Sequence, residues 1–292
     1  MEPSINLNIL FIINPASGGK KKTDWEPIIR QYFKPLTHTI EFFILSGKDD
    51  DLSIQYWIQK LSPQRVVAVG GDGTISLVAK QLSGSSIPMA ILPGGSANGM
   101  ATELKIPVDP IQAIDLIVNG RVQQCDLIKI NDDDICIHLS DLGLNARLIK
   151  YFDKNALRGM WGYSRVFLKI LWEGKLMRVH IKADNLDVNI PAYMIVIANA
   201  SKYGTGAVIN PEGIIHDGKF ELVIVRRISL IEFIKLFLNN QPFNPKKVEI
   251  IQATRVVITS RKRVHFQVDG EYKGKINKVT AEIIPSALNL VV

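Results

Sequence analysis

The chain of 292 residues holds only two cysteines, Cys125 and Cys136. Their spacing suits neither a zinc site nor a redox pair, and so few thiols fit a reducing compartment rather than a disulfide framework. Long apolar runs are missing as well: nothing approaches the roughly 18 to 20 residues that a membrane span needs. The opening stretch MEPSINLNILFIINP has neither a basic segment nor a small-residue cleavage site, so a cytoplasmic protein is expected. The histidines His38, His138, His180, His216 and His265 are scattered without ligand spacing, and ordinary core or surface roles are expected for them. No helix-turn-helix, zinc finger or interleaved aromatic and basic motif is present, which argues against nucleic acid as a partner.

What the chain does have is apolar content and positive charge. At 47% hydrophobic residues it can bury substantial cores, and its length suggests two domains. The formal net charge of +7 favours an anionic membrane surface or a phosphate-bearing substrate.

Up to about residue 120, strand and helix patterns alternate. Apolar strands are expected at 8–13, 38–45, 66–69 and 89–92, with helices at 25–33, at 52–61 and after the glycine turn at 70–74. Asp109 and Pro110 cap a last helix whose apolar face is Ile111, Ile114, Ile117 and Val118. Such alternation implies a parallel sheet with helices on both faces, and a ligand crevice outside the carboxyl ends of its strands. Asn14, the turn from Gly70 to Thr74 and the loop from Gly94 to Asn98 would converge there.

From Cys125 onward the texture changes to strands separated by turns, at 127–130, 135–139, 178–183, 193–198, 220–225, 248–251, 255–260, 264–268 and 279–284. The expectation is α/β plus all-β: a parallel-sheet nucleotide-binding domain over 1–124 and an antiparallel, sandwich-like domain over 125–292, with a cleft between them. The last residues are free to return to the first domain.

Three segments carry chemistry. In VVAVGGDGT, a strand runs into Gly70, Gly71, Asp72, Gly73 and Thr74; the glycines let backbone N–H groups approach a polyphosphate and one carboxylate stands at the strand's end. Alone, it fits a tight turn equally well. PGGSANGMATEL, from Pro93, offers Ser96 and Asn98 as hydrogen-bonding side chains before a helix N-terminus, although a capped helix start accounts for it too. In VDGE, Asp269 and Gly270 read as a hairpin turn or as an acidic site.

In this order, NPASGG at 14–19, GGDGT at 70–74, PGGSANGMA at 93–101 and VDGE at 268–271 resemble the diacylglycerol kinase catalytic-domain family, which includes sphingosine and ceramide kinases and bacterial lipid kinases. The resemblance covers nearly the whole chain. It implies a first domain that binds ATP, a β-rich second domain, and phosphorylation of a lipid hydroxyl between them with Mg²⁺. It implies that Asn14, Ser17 and Gly18 line the nucleotide, that Gly70, Gly71, Asp72, Gly73 and Thr74 hold the phosphates with Asp72 at the magnesium or reacting end, and that Ser96 and Asn98 complete the pocket. Asp126 matches a family aspartate just after the first domain. Asp269 and Glu271 match the acidic pair near the C-terminus, with Asp269 the general base. Arg158 resembles an arginine that reaches ATP phosphates, and Asp217, in HDGKFEL, an acidic position near a structural magnesium site. One position departs: many bacterial diacylglycerol kinases carry an aspartate where this chain has Gly99, and Ser96 with Gly99 looks more like sphingosine-kinase-type sequences.

The chemistry fits these residue types, because phosphoryl transfer needs positioning and charge neutralisation, and one carboxylate beside the attacking hydroxyl can accept its proton. In LRGMWGYSRVFLKILW, at 157–172, Arg158, Arg165 and Lys169 share one helix face beside a wide apolar surface. That stretch reads as a lipid-gripping helix or as a helix packed on the second domain's sheet, and LIEFIKLFL at 230–238 as a core helix. The function expected is an ATP- and Mg²⁺-dependent lipid kinase acting on diacylglycerol or a sphingoid-type lipid, peripherally associated with anionic membrane. The alternatives are NAD kinase, which shares GGDG, and a non-catalytic phospholipid-binding protein of the same fold. Oligomeric state leaves no readable signature, so a homodimer stays open.

Overall fold

The computed structural model describes residues 6–18, 23–95, 97–147, 175–184, 186–203, 207–227, 229–235 and 242–292. Two compact units divide the chain: Met1–Cys125 with Ser286–Val292, and Asp126–Pro285.

In the first unit, β1 (Asn8–Ile13), β2 (Thr39–Ile44), β3 (Arg65–Gly70) and β4 (Met89–Pro93) pair in parallel in the order β2–β1–β3–β4. The chain's last residues add beside β4, with Leu290 opposite Met89. Helices α1 (Trp25–Phe33), α2 (Asp50–Leu61), α3 (Asp72–Leu82), α4 (Gly99–Glu103) and α5 (Pro110–Asn119) complete it. NILFII and RVVAVG are near-continuous apolar runs because a parallel strand covered on both faces has no solvent side. Ile9, Leu10, Phe11 and Ile12 are accordingly all buried. The order reverses between β1 and β3, so the connections leaving these two strands diverge and open a crevice at their carboxyl ends.

The structure adjusts two expectations here. The segment 70–74 is not wholly a turn: Gly71 is the N-cap and Asp72, Gly73 and Thr74 form the first turn of α3. In α5, Asp109 accepts the Gln112 amide at 2.9 Å as a cap should, but Ile111 is 51% exposed. The buried stripe is Ala113, Ile114 and Ile117, and Ile111 lies about 110° round the helix from its centre.

The second unit is built from β5 (Val122–Ile130), β6 (Asp134–Cys136), β7 (Leu139–Gly143), β8 (Met177–Ala183), β9 (Leu186–Ala192), β10 (Met194–Ala198), β11 (Phe220–Val225), β12 (Val248–Ala253), β13 (Arg255–Val268) and β14 (Glu271–Val291), with a short helix α6 (Leu230–Lys235); the first residues of β5 and the last of β14 belong to the first unit. One antiparallel row runs β12–β11–β10–β7–β13. Of the remaining strands, β8 with β9 joins the first half of β13, while β14, which carries β5 and β6, pairs with both halves. The segments 255–260 and 264–268, expected as separate strands, are one strand that changes partner: Val256 to Ser260 pair with β8, and Phe266 to Val268 pair with β7. A register shift between Thr259 and Val264 makes this change. Ile128, Ile181, Ile197, Leu222 and Phe266 meet in one core between these layers, the sandwich-like arrangement that the turn-rich sequence predicts. Strand β9 escapes a sequence reading because LDVNIPA carries Asp187, Asn189 and Pro191, tolerable in a strand that among the described residues pairs with β8 alone.

Candidate active site

In the first unit the three glycine-rich loops do converge. Asn14, one residue past β1, donates its Nδ2 to Thr74 Oγ1 at 2.9 Å, and its Oδ1 accepts the Ala16 amide at 2.9 Å. The Asn14 amide donates to the Val69 carbonyl at 3.0 Å, and Ser17 N to Asn14 O at 3.2 Å, so the loop that carries Ser17 and Gly18 is pinned to the end of β3. Gly94 N donates to Gly70 O at 2.7 Å. A side chain on Gly95 would place its Cβ 2.4 Å from Gly71 Cα, and one on Gly70 would meet Thr74 Oγ1 at 2.4 Å. Gly95 and Gly71 therefore let two backbones touch and Gly70 leaves room for the Thr74 side chain, so the glycines serve loop packing beside any approach of a ligand. The amides of Asp72 and Gly73, in the first turn of α3, have no intrahelical acceptor, and with the helix dipole they favour an anion.

The side chains at this crevice are mostly engaged with backbone. Asp72 accepts the Gly99 amide at 2.9 Å through Oδ2 and the Met100 amide at 3.1 Å through Oδ1, which caps α4. Asn98, in a left-handed conformation with φ 50°, closes its own loop by accepting Gly95 N at 2.8 Å and donating to Gly95 O at 2.9 Å. Gly99, the departure noted in the motif, is buried and supplies one of the amides bound by Asp72. A cavity of about 320 Å³ opens beside these loops, lined by Gly18, Trp25, Gly95, Asn98, Ile106 and Pro110. Ser96 and Arg158, with the whole 157–172 stretch, lie outside the described residues.

The second unit presents a different chemistry. Asp269 sits at φ 46° in the turn between β13 and β14 and is only 5% exposed. Its Oδ1 accepts His138 N at 2.9 Å, Leu139 N at 3.1 Å and the Cys136 thiol at 3.2 Å; of these four donors only Ile137 N, at 3.0 Å, reaches Oδ2. Burial and the neighbouring Asp269 charge push the Cys136 thiol well up, so it serves as a donor and not as a nucleophile. Asp126, also buried, accepts Gly218 N at 2.6 Å. Asn199 Nδ2 bridges the carbonyls of Asp126, at 2.8 Å, and Ile137, at 2.9 Å. Asp126 and Asp269 are thus tied to one segment, 136–139, which spans the bend between β6 and β7.

The structure does not bring Glu271 or Asp217 into that cluster. The Glu271 side chain is 60% exposed and pairs with Lys273 at 3.2 Å, while Lys273 also holds Asp134 at 3.0 Å. Asp217 is exposed and accepts the Lys219 amide at 3.0 Å within its own turn. Among the described residues, no three His, Cys, Asp or Glu side chains gather into a set able to hold a metal ion.

Sequence reasoning missed four residues here. Asp141, fully buried on β7, accepts Asn145 Nδ2 at 2.6 Å, Ala146 N at 2.8 Å and Gln267 Nε2 at 2.5 Å, and burial pushes its carboxyl up to about 6. Gln267 in turn accepts Gly270 N at 2.7 Å, linking Asp141 to the turn that carries Asp269. Asn199 is the bridge described above. His138, read as an ordinary histidine, is 5% exposed, and its Nε2 has no hydrogen-bond partner among the described residues. The available signal was polar residues inside apolar strands, as in HLSDLG and FQVDG.

A family model described as "Diacylglycerol kinase catalytic domain" matches residues 8–130, and one described as "YegS C-terminal NAD kinase beta sandwich-like domain" matches residues 140–292. The chain belongs to the diacylglycerol kinase catalytic-domain family. Membership in this family makes it a kinase. Among curated relatives, a Klebsiella pneumoniae (strain 342) protein named "Probable lipid kinase YegS-like" is 31% identical over 234 residues, covering 78% of each chain. Among solved structures, a diacylglycerol kinase from Bacillus anthracis str. Sterne shares the fold with a TM-score of 0.75 at 16% identity, over 98% of this chain and 96% of that one. An NAD kinase from Archaeoglobus fulgidus, solved with ATP, reaches a TM-score of 0.51 at 13% identity, over 98% and 94%. Among the described residues no helix is long and apolar enough to cross a membrane.

Proposed function

We propose that the protein is an ATP-dependent lipid kinase that transfers the γ-phosphate to a lipid hydroxyl, of diacylglycerol or of a sphingoid-type lipid. What supports this reading is that residues 8–130 match the diacylglycerol kinase catalytic domain and that a relative over 78% of the chain is named a probable lipid kinase, while glycine-rich loops meet in the first unit and Asp269 is buried among amide donors in the second. In the first unit, the phosphates of ATP sit on the first-turn amides of α3 beside Gly70, Gly71 and Gly73, with Asn14 and Thr74 fixing the loop and Ser17 and Gly18 flanking it. Asp72 is the carboxylate that would hold Mg²⁺ together with those phosphates, since magnesium in such sites takes one or two carboxylates plus phosphate oxygens. When bound, the ion supplies charge neutralisation of the transferring group.

In the second unit, the Asp269 carboxylate, held by the amides of Ile137, His138 and Leu139, accepts the proton of the lipid hydroxyl. The hydroxyl oxygen then bonds to the γ-phosphorus as the bond to the ADP oxygen breaks. Asp126, with Asn199, positions the 136–139 segment that orients Asp269. The mechanism gives no role to Glu271 and none to Asp217.

The test is transfer of labelled γ-phosphate from ATP with Mg²⁺ to diacylglycerol, monoacylglycerol, sphingoid base, ceramide and NAD, beside an Asp269→Asn variant. A labelled lipid that disappears in the variant is the expected result and names the acceptor. Labelled NAD in its place moves the assignment to NAD kinase. Nucleotide binding without any product favours the non-catalytic phospholipid-binding reading.

A further inference from the structure

Where β7 ends and β8 and β10 begin, the second unit holds a cavity of about 310 Å³ that the mechanism above does not use. Arg147, Lys175, Arg263 and Lys275 line it. His265 lines it too, standing opposite Lys275 in the β13–β14 register. Among the described residues no carboxylate lines it. Met177 and Val264 add apolar surface to the lining. Gly143 is at φ +100°, and a Cβ there would meet the Tyr193 carbonyl at 2.5 Å and Met177 Cε at 2.8 Å, so this glycine lets Met177 and Tyr193 close up against the end of β7.

Lys175, Arg263 and Lys275 bring positive charge to one concavity, which favours an anion there. A bare anion would be served by the cations alone. The apolar side chains that share the lining suit a phosphate that carries hydrocarbon, with the carbon against Met177 and Val264. We propose that this cavity binds the phosphate-bearing headgroup of an anionic membrane phospholipid and so holds the second unit against the bilayer surface. The inference does not rest on the kinase reading, because it is tested without nucleotide or turnover.

The experiment is flotation of the full chain with vesicles of phosphatidylcholine alone and of phosphatidylcholine mixed with phosphatidylglycerol, at low salt. The parent protein should float with the mixed vesicles and stay behind with the neutral ones. Arg263→Glu and Lys275→Glu, at exposed strand positions, should each weaken binding about tenfold, since each cation near an anionic surface contributes roughly fivefold and reversal removes more than one such contribution. Lys182→Glu makes the same charge change at an exposed β8 position that does not line the cavity, and should leave binding within about twofold.

Melting temperatures of all variants report on folding, and Arg263→Gln with Lys275→Gln replaces any charge-reversed chain that fails to fold. The proposal is overturned if Lys182→Glu costs as much as the cavity variants, because diffuse net charge would then suffice. It is overturned equally if the cavity variants bind like the parent. Inorganic phosphate and glycerol phosphate are added without vesicles as a second arm. If either binds the parent and loses that binding in Arg263→Glu, while vesicles remain unbound, the site takes a free phosphate and the membrane assignment is wrong.

Discussion

The two units handle negative charge in opposite ways. The first meets it with backbone: glycines 70, 71, 94 and 95 bring two loops into contact, and helix α3 offers amides with little side-chain chemistry around them. The second supplies charge of its own, burying Asp126, Asp141 and Asp269 and surrounding each carboxylate with amide or side-chain donors. A phosphate donor arrives already charged and needs a cradle that costs nothing to preorganise. A hydroxyl acceptor arrives neutral and needs one fixed acceptor for its proton. The contrast predicts that substitutions in the first unit act through sterics, and those in the second through hydrogen bonding and charge.

The largest effect is expected from Asp269→Asn. An asparagine presents one acceptor oxygen and an NH₂ group to a site built of donors, so about 1–3 kcal/mol of stability should be lost with the unmade bonds. Turnover should fall roughly 10² to 10⁴-fold if the carboxylate accepts the hydroxyl proton. Single-turnover transfer measured beside thermal unfolding separates the two, and a folded variant with near-parental turnover removes Asp269 from the mechanism.

A pair of glycine substitutions tests the comparison directly. Gly95→Ala drives a methyl group to 2.4 Å from Gly71 Cα, backbone against backbone, so neither side can yield cheaply. Overpacking of this kind costs about 1–3 kcal/mol and should displace the loop that faces the phosphates, weakening nucleotide binding severalfold. Gly270→Ala has open space around it and a φ of +86°, so only conformational strain of about 1 kcal/mol is expected, with nucleotide binding unchanged. Equal effects of the two on nucleotide affinity, measured by calorimetry, would dissolve the distinction.

How much of this was legible beforehand follows the same division. The first unit's crevice could be read because its chemistry is local: VVAVGGDGT states the strand, the close approach and the helix start in consecutive residues. That Asp72 caps α4 and Asn98 closes its own loop could not be read, since these bonds join residues whose relative positions depend on the packed loops. In the second unit Asp269 was marked by its turn, but its cradle comes from amides of 137, 138 and 139, more than a hundred residues earlier. Backbone donors leave no trace in residue type. Asp141, Asn199 and Gln267 were visible only as polar interruptions of apolar strands, whose partners the antiparallel register alone decides.

Asp141 gives the second unit a pH dependence between about pH 4 and 6. Burial raises its carboxyl from 3.8 to about 6, so the folded protein binds this proton more tightly than the unfolded chain. The resulting stabilisation is fully present below about pH 4 and is lost as pH rises through about 6, amounting to about 3 kcal/mol in all. The difference in melting temperature between the parent and Asp141→Asn should therefore shift in the parent's favour as pH is lowered from about 7 to about 5. A difference that stays flat across that window would mean Asp141 is not the group that titrates.

The smallest change in stability is expected at Asp72, and it decides what the first unit's one well-placed carboxylate does. As a helix cap it accepts the Gly99 and Met100 amides, one on each oxygen. Asp72→Asn keeps one acceptor and Asp72→Ala keeps none, so the cap alone predicts a graded loss that reaches about 1 kcal/mol in the alanine variant. Transition-state charge predicts something else: both variants lack the carboxylate, and both should lose turnover to a similar extent although their melting temperatures differ. If turnover instead follows the melting temperature, with Asp72→Asn close to the parent, the first unit binds the phosphates entirely with backbone, and every catalytic carboxylate must be sought in the second.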